Sequence, residues 1–332
     1  MSKHICVLIT GSSRGYGRAI AEEFNNHCLK NDINVHFILS GRSSGDLEET
    51  RNILQNDRVN IPATKSVSSY FLYPTDLSDL STLPNSCDVL LNELLDSKFT
   101  SFILYNNAGS LGELNEIGSS TFQTSAERLA SITHSINFNV TSSCFIISEI
   151  IEKHKQGLLN HLIDGITIAN ISSLCAIQPF SSWSTYCTGK AARDMFIRCV
   201  ATENENYKFI KVLNYAPGPM DTGMQKEIRE KSTVNKGVQE YFKELKTNNQ
   251  LVNTNKSANK LIRIIIQNKY KSGDHIDFYD KIIGIDACGC VTCICVDCQC
   301  SSLGSPQCDN CKEFKSQQQQ QQQQQQMKCC EK

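Results

Sequence analysis

The chain has 332 residues, 40% of them hydrophobic, and its 33 basic and 34 acidic side chains leave a formal net charge of -1. This length and hydrophobic content suffice for the buried core of one large domain or two small ones. The balanced charge argues against a nucleic-acid-binding surface and a polybasic membrane patch, so we expect a small-molecule ligand.

The N-terminal segment contains a short apolar run at residues 5–10. Six residues are too few for the core of a signal peptide or for a membrane span, so the run predicts a strand and the protein is expected in the cytoplasm. In that reducing compartment, the 17 cysteines are expected as free thiols or metal ligands rather than as disulfides.

Short apolar runs alternate with amphipathic segments along the chain. Strands are predicted at 5–10, 35–40, 69–72, 102–106, 166–171 and 210–215, and helices at 17–26, 46–56, 84–95, 126–153 and 186–202. This alternation predicts an α/β fold of the Rossmann type, a doubly wound parallel sheet that binds its ligand at the carboxyl ends of the strands. The polar stretch 222–251 predicts one or two helices, possible lid elements over the substrate pocket.

A change in composition divides the chain into a single domain, residues 1–281, and a low-complexity tail, residues 282–332. The tail holds ten of the cysteines and a run of ten glutamines at 317–326, and it is expected to be disordered because it cannot bury enough apolar surface. Its Cys-x-Cys and Cys-x-x-Cys spacings resemble thiolate clusters that bind zinc or copper(I). The possible ligands are Cys288, Cys290, Cys293, Cys295, Cys298 and Cys300. A lipid-modified or merely low-complexity tract is the alternative, and no metal site is expected in residues 1–281.

A glycine-rich segment, TGSSRGYG at 10–17, follows the first predicted strand directly. Gly11 permits a tight turn, Gly15 lets the backbone approach a pyrophosphate, and Gly17 allows close helix packing. The following helix N-terminus offers unpaired N–H groups to the phosphates. Glycines before a helix also occur in ordinary turns, but the position after an apolar strand favours a dinucleotide site. The predicted cofactor contacts here are Gly11, Ser12, Ser13, Arg14, Gly15, Tyr16 and Gly17.

The second predicted strand ends at Arg42 and Ser43, where an NAD enzyme would usually carry an acidic residue. A guanidinium matches the geometry and charge of a 2′-phosphate, and Arg14 can supply a second positive charge. These residues predict NADPH as the cofactor. The alternative is that Arg42 is a solvated surface residue.

Tyr186 and Lys190 are four residues apart, which places both on one face of a helix, and Ser173 ends the preceding predicted strand. A carbonyl that accepts a hydride needs a proton donor and a polarising hydrogen bond. We predict Tyr186 as the donor, Ser173 as the polarising group and Lys190 as the partner of the nicotinamide ribose. The positive charges of Lys190 and oxidised nicotinamide are expected to lower the pKa of Tyr186 from its usual value of about 10.

These motifs, with the element NNAG at 106–109, resemble the short-chain dehydrogenase/reductase family. The resemblance implies adenine-side contacts from Asp76, Leu77, Asn107, Ala108 and Gly109. It also implies that Asn139 completes a catalytic tetrad, with Asn137 as a neighbouring candidate. A cytosolic homodimer that pairs through the helices at 126–153 and 186–202 is expected from the same resemblance.

Four segments, 106–112, 170–180, 213–224 and 271–281, are similar to family members that act on pterins. This similarity implies NADPH-dependent reduction of pterin side-chain ketones, including those of sepiapterin and 6-pyruvoyl-tetrahydropterin. It implies a cofactor segment of Met220, Asp221, Thr222, Gly223, Met224 and Gln225, and substrate contacts from Ser173, Leu174, Tyr186, Gly218 and Asp277. Asp277 would anchor the guanidine-like edge of the pterin; the alternative is a charged residue on an exposed strand. Trp183 is either a pocket wall or a core residue.

Two other functions stay open at this point: a reductase of unrelated dicarbonyls, and an inactive reductase fused to a metal-binding tail. The intact set of Ser173, Tyr186 and Lys190 argues against the second.

Overall fold

One parallel sheet organises the part of the chain that the computed structural model describes, residues 4–59, 65–96, 98–119, 122–282 and 285. Its seven strands lie in the order β3-β2-β1-β4-β5-β6-β7. The strands are β1 His4–Thr10, β2 Asn34–Gly41, β3 Ser68–Pro74, β4 Ser101–Asn106, β5 Ile166–Ile171, β6 Ile210–Ala216 and β7 His275–Asp277. The six predicted strands are confirmed, because continuous apolar runs are what a sheet covered on both faces requires.

Helices cover both faces of the sheet. They are α1 Gly15–Lys30, α2 Ser44–Val59, α3 Leu83–Leu94, α4 Ser125–Ile136, α5 Ser142–Lys155, α6 Ser184–Glu203, α7 Gly223–Glu230, α8 Lys236–Thr247 and α9 Thr254–Ile266. One core lies between the sheet and the α1/α2/α9 layer, and a second lies under α3, α5 and α6. This arrangement is the predicted doubly wound Rossmann-type fold.

Two regions differ in detail from the predicted helices. The single helix predicted at 126–153 contains a π-helical turn, Asn137–Thr141, between α4 and α5. The stretch 222–251 forms two helices, α7 and α8, whose apolar sides pack with Trp183 in a third small core. Motion of these two helices as a lid stays a prediction.

The C-terminal part of the domain holds elements that the sequence patterns above do not include, namely α9 and β7. Helix α9 buries Ala258, Leu261 and Ile262 against the core that contains α1. Ile285 is 1% exposed and belongs to the same core. The boundary at residue 281 stays a prediction.

The described residues include no helix with both the length and the apolar character needed to cross a bilayer. Within those residues, no cluster of three or more histidine, cysteine or acidic side chains is arranged to hold a metal ion. The predicted thiolate cluster, Cys288 to Cys300, lies outside the described residues.

Candidate active site

The glycine loop joins β1 to α1 and fits a dinucleotide phosphate group. Gly11 and Gly15 have φ angles of 70° and 57°, in the left-handed region that favours glycine. A Cβ atom on Gly17 would lie 2.2 Å from the Gly11 carbonyl oxygen, so a side chain there cannot be accommodated without moving backbone. Arg14 and Gly15 are the exposed residues of this loop, which leads into the N-terminus of α1, where a pyrophosphate can be bound.

The side chains of two predicted loop contacts point elsewhere. Ser12 is fully buried and its hydroxyl donates to the Ser40 carbonyl oxygen at 3.2 Å. Tyr16 is 6% exposed and its hydroxyl lies 3.2 Å from Ser257 Oγ on α9. Both side chains fix the loop to the core, and the Ser12 N–H also donates to the Ser40 carbonyl oxygen at 2.9 Å. Cofactor contacts from these two residues stay a prediction.

The candidate 2′-phosphate site lies at the ends of β1 and β2. Arg14 and Arg42 are both exposed. A Cβ atom on Gly41 would lie 3.3 Å from Ser13 Cβ, which places the glycine loop directly beside the end of β2. Ser43 Oγ accepts a hydrogen bond from the Asp46 N–H at 3.2 Å in the first turn of α2. Two basic side chains thus flank one exposed corner of the sheet.

The loop after β3 borders the same corner. Partial burial acts to raise the pKa of Asp76, but hydrogen bonds from Ser78 and the nearby charge of Arg42 lower it below its usual value. Asp76 is exposed, whereas the Leu77 side chain is 6% exposed and packs in the core. An adenine contact from Leu77 would therefore come from its backbone.

Residues 106–109 connect the cofactor side of the site to its catalytic side. Asn107 Nδ2 donates to the Thr10 carbonyl oxygen at 2.9 Å, and the Ala108 N–H donates to Thr10 Oγ1 at 3.0 Å. A Cβ atom on Gly109 would lie 3.3 Å from Asn139 Oδ1. The Asn107 amide thus holds β1 and the end of β4 together. This is a structural role beside any contact with the cofactor.

Asn139 lies on the π-helical turn and is 3% exposed. Its Oδ1 accepts from the Ser110 N–H at 2.9 Å and its Nδ2 donates to the Ser110 carbonyl oxygen at 3.1 Å. Single π-helical turns inside α-helices are frequent at functional sites. Asn137 is half-buried, and the two bonds to Ser110 favour Asn139 as the member of the tetrad.

Ser173, Tyr186 and Lys190 lie together at the carboxyl end of β5. Tyr186 is 7% exposed, and Lys190 Nζ lies 5.7 Å from the centre of its ring and donates to the Ile171 carbonyl oxygen at 2.6 Å. Ser173 Oγ is within hydrogen-bonding reach of the Tyr186 phenol and accepts from the Cys175 N–H at 3.2 Å. The geometry can bring a phenol and a hydroxyl to one carbonyl oxygen.

Burial changes the pKa values of Lys190 and Tyr186. It lowers the pKa of Lys190 to about 7, with the charge of Arg193 acting in the same direction. Burial raises the pKa of Tyr186, although the hydrogen bond from Ser173 acts against it. The predicted fall in the pKa of Tyr186 is therefore wrong for the protein alone, because desolvation of the phenolate outweighs the nearby positive charge.

Two charged residues of the site, Arg193 and Asp194, are missing from the sequence motifs above. Arg193 is 1% exposed; its Nε donates to Asn170 Oδ1 and its Nη1 to the Ala108 carbonyl oxygen, each at 2.8 Å. Its Nη2 donates to the Asn106 carbonyl oxygen. The available signal was helical spacing, since residues 193 and 194 continue the face of α6 that carries Tyr186 and Lys190.

The predicted substrate contacts border the same edge of the sheet. Asp277 ends β7, where burial raises the pKa of its carboxyl group and Oδ1 accepts from the Tyr279 N–H at 2.9 Å. Gly218 follows β6 with a φ of 78°, and Leu174 follows Ser173 with 37% of its surface exposed. The neighbouring strands β5, β6 and β7 thus bring these residues to one end of the sheet.

Residues 220–225 comprise the end of the link from β6 and the first residues of α7. Met224 Sδ accepts from the Tyr186 hydroxyl at 3.9 Å, and a Cβ atom on Gly15 would lie 3.8 Å from Thr222 Cγ2. The link therefore touches both the glycine loop and the proposed proton donor. Gly223 begins α7, and Met220 pairs with Val252 in an isolated bridge.

Two other side chains of this link are held by neighbouring helices. Asp221 pairs with Arg229 at 3.5 Å and with Lys246, and Gln225 Nε2 donates to the Phe242 carbonyl oxygen at 3.5 Å. Their side chains thus fix α7 and α8 and are not aimed at the glycine loop.

Trp183 is a core residue, and its role as a wall of the substrate pocket stays a prediction. It is 3% exposed, stacks on Phe180 and Phe242 with ring centres 5.4 and 5.6 Å apart, and meets Tyr186 edge to face at 5.9 Å. The indole is a core residue of the third cluster and also packs against the proposed proton donor.

Known proteins with similar sequences identify the family of the chain. The short chain dehydrogenase family matches residues 5–233. Sepiapterin reductase of Rattus norvegicus is 32% identical over 278 residues, which cover 83% of this chain and 96% of that protein. The Meriones unguiculatus sepiapterin reductase is 34% identical over 83% of this chain and 97% of its own length.

More distant relatives have other names. A benzil reductase of Bacillus cereus is 26% identical over 81% of this chain and 97% of that protein. The crystal structure of the angucycline C-6 ketoreductase LanV with bound NADP superposes with a TM-score of 0.61 at 19% identity, covering 83% of this chain and 97% of that one. At this identity, the likeness to LanV concerns the fold. Taken together with the gathered serine, tyrosine and lysine, the sequence relatives show that the chain is an oxidoreductase of the short-chain dehydrogenase/reductase family, similar to the sepiapterin reductases.

Proposed function

We propose that this protein uses NADPH to reduce the side-chain ketones of pterins, sepiapterin to dihydrobiopterin and 6-pyruvoyl-tetrahydropterin to tetrahydrobiopterin, the final step of tetrahydrobiopterin synthesis. The observation that carries the proposal is the position of Asp277 at the carboxyl end of the sheet, the end at which Ser173 and Tyr186 also lie. A carboxylate there can accept two hydrogen bonds from the guanidine-like edge of a pterin while the ketone reaches the phenol.

The glycine loop fits a dinucleotide, because its close packing leaves backbone N–H groups rather than side chains at the N-terminus of α1. Residues 11–17 would hold the pyrophosphate, Arg14 and Arg42 the 2′-phosphate, and residues 106–109 the adenine side. A bound nicotinamide would supply the hydride. The two exposed guanidiniums support NADPH over NADH, because they can pair with the negatively charged 2′-phosphate of NADPH, whereas NADH has a neutral hydroxyl at that position.

The protein's own residues account for proton transfer. The Tyr186 phenol, kept protonated by burial, would donate its hydrogen to the ketone oxygen, and Ser173 would stabilise the developing negative charge by a hydrogen bond. Lys190 would hold the ribose and, once charged, would favour the phenolate that proton donation leaves. Asn139 would keep the segment at Ser110 in place beside the site.

A second candidate, a broad reductase of dicarbonyls, is favoured by the similarity to a benzil reductase. Initial rates of NADPH oxidation with sepiapterin, with 6-pyruvoyl-tetrahydropterin and with a simple diketone separate the two functions. We expect the Asp277→Asn variant to raise the KM for sepiapterin about tenfold, and by much more than the KM for the diketone. Turnover of the diketone alone by the unmodified protein would refute the pterin proposal.

The role of Tyr186 is tested by Tyr186→Phe, which we expect to lower kcat about 10²–10⁴-fold while NADPH still binds. Tyr207→Phe is the matched control, because the Tyr207 hydroxyl bonds His154 at 3.2 Å outside the active site. Equal rates for Tyr186→Phe and the unmodified protein would show that another group delivers the proton.

A cytoplasmic homodimer is part of the proposal. Leu129 and Ile132 on α4 and Met195 on α6 are 66%, 43% and 52% exposed, and apolar side chains on neighbouring helices can form a subunit interface. Light scattering should give twice the mass of the chain, and Leu129→Asp should give the monomer mass. We also propose that the tail is accessory, so truncation after residue 285 should leave turnover intact.

A further inference from the structure

Asp194 on α6 contacts β6, β7 and the residue after β5, at the end of the sheet that carries the proposed substrate site. Its Oδ1 accepts from the hydroxyl of Ser172, the residue after β5. Its Oδ2 lies 2.5 Å from His275 Nδ1 on β7, and its backbone oxygen accepts from Asn214 Nδ2 on β6 at 3.2 Å. One buried carboxylate thus connects the end of β5 to the edge strand.

The bond between Asp194 and His275 has a defined direction. A carboxylate only accepts hydrogen bonds, so Nδ1 of His275 carries the hydrogen. Asp194 is 3% exposed, and its hydrogen bond and charge raise the pKa of His275 above its usual value. A charge-assisted hydrogen bond in such a buried place holds its partners more firmly than a bond between neutral groups.

Strand β7 needs such a connection. It is three residues long, lies at the edge of the sheet and pairs only with β6 within the described residues, through His275 with Asn214 and Asp277 with Ala216. Successive side chains of a strand alternate between faces, so His275 and Asp277 point to the same face. Movement of His275 would therefore move the Asp277 carboxylate with it.

The segment after β7 is held separately. Lys260 Nζ on α9 donates to the carbonyl oxygens of Phe278 and Asp280 at 2.8 and 2.5 Å. This contact lies on the α9 side, whereas the bond of His275 to Asp194 leads to α6 and to Ser172, the neighbour of Ser173. The hydrogen bond from His275 to Asp194 thus connects β7 to Ser172, the neighbour of the proposed catalytic residue Ser173.

We propose that His275 is a positioning residue for the substrate: through Asp194 and Ser172 it fixes β7, and with it Asp277, relative to Ser173. The inference rests on the proposed role of Asp277 as the pterin anchor. His275 itself touches neither the substrate nor the reacting atoms, and its effect is on where the pterin ring is held relative to the ketone site.

The test compares His275→Leu, which removes the donor, with His275→Asn, whose amide N–H replaces Nδ1–H near the same place. With sepiapterin and NADPH, we expect His275→Leu to raise KM about tenfold, the order that loss of one charged hydrogen bond produces, with a much smaller fall in kcat. His275→Asn should recover most of the loss. Ser172→Ala, a smaller change that cuts the other bond of Asp194, should raise KM in the same direction if His275→Leu does not fold.

A double variant decides whether His275 acts through Asp277. If it does, His275→Leu adds little to the KM of Asp277→Asn, because the effects of coupled residues do not add. A multiplied effect, an effect on kcat alone, or equal KM values for His275→Leu and His275→Asn would overturn the inference. If Asp277→Asn leaves KM unchanged, the anchor itself is wrong and the inference falls with it; if Asp277→Asn raises KM and His275→Leu does not, the inference alone is wrong.

Discussion

Replacing Arg193 with methionine removes a buried guanidinium that donates to three acceptors, one on β4, one on β5 and one in the segment after β4. The substitution does not leave these three acceptors equally unsatisfied. Asn170 Oδ1 keeps a second donor, Asn106 Nδ2 at 3.1 Å, and the Ala108 backbone is half-buried, whereas Asn106 is 5% exposed. The main loss is therefore at the Asn106 carbonyl oxygen, with a smaller loss at Ala108.

An unsatisfied buried acceptor costs about 1–3 kcal/mol, so we expect Arg193→Met to lower the free energy of unfolding by about 2–4 kcal/mol. With a urea dependence of about 3 kcal/mol per molar for a domain of this size, the midpoint of unfolding should fall by roughly 1 M. Arg193→Lys, which can replace one of the bonds, should lie between the two proteins. Because Arg193 holds residues 106–109, the KM for NADPH should rise as well.

Arg198→Met is the matched control, since Arg198 is exposed on the same helix. Surface substitutions usually change the free energy of unfolding by less than about 0.5 kcal/mol. Urea unfolding followed by circular dichroism gives both values under one condition. If Arg193→Met shifts the midpoint no more than Arg198→Met does, the three hydrogen bonds do not stabilise the loop as argued.

Three other changes test the remaining parts of the site. Arg42→Asp should raise the KM for NADPH by roughly tenfold or more and favour NADH, because it removes a charge-assisted bond to the 2′-phosphate, whereas Arg51→Asp on α2 should not change the preference. Gly17→Ala should destabilise the fold and weaken cofactor binding, since its Cβ would lie 2.2 Å from a backbone oxygen, while Gly237→Ala, with 3.4 Å to its nearest neighbour, should be neutral or slightly stabilising in thermal melts. At neutral pH, iodoacetamide should modify Cys187 faster than the exposed Cys199, because a hydrogen bond from the Cys175 thiol lowers the pKa of Cys187. Faster labelling of Cys199, measured by peptide mass spectrometry, would contradict this.

The fold was predictable because its information is local. Five of the six predicted strands are apolar runs with nearly every residue buried, and the spacing of Gly11, Gly15 and Gly17 directly after such a run defines the turn into α1. The same holds for Tyr186 and Lys190, whose relation depends on helix geometry alone. Helix α9 and the three-residue β7 were not predicted, the first because its amphipathic pattern follows a long polar stretch and the second because it is too short to show a pattern.

The charged residues of the site were missed for a different reason. An arginine, aspartate or histidine is exposed in most proteins, so a sequence gives no cause to bury Arg193, Asp194 or His275 until their partners are known. Those partners are 87 residues away for Arg193 and Asn106, and 81 for Asp194 and His275. The same distance in sequence explains the error over Tyr186, because the charge of Lys190 could be counted from spacing whereas the desolvation by surrounding helices could not. The pKa values in this active site therefore depend on how the folded chain surrounds each group. The local motif specifies only which groups are present.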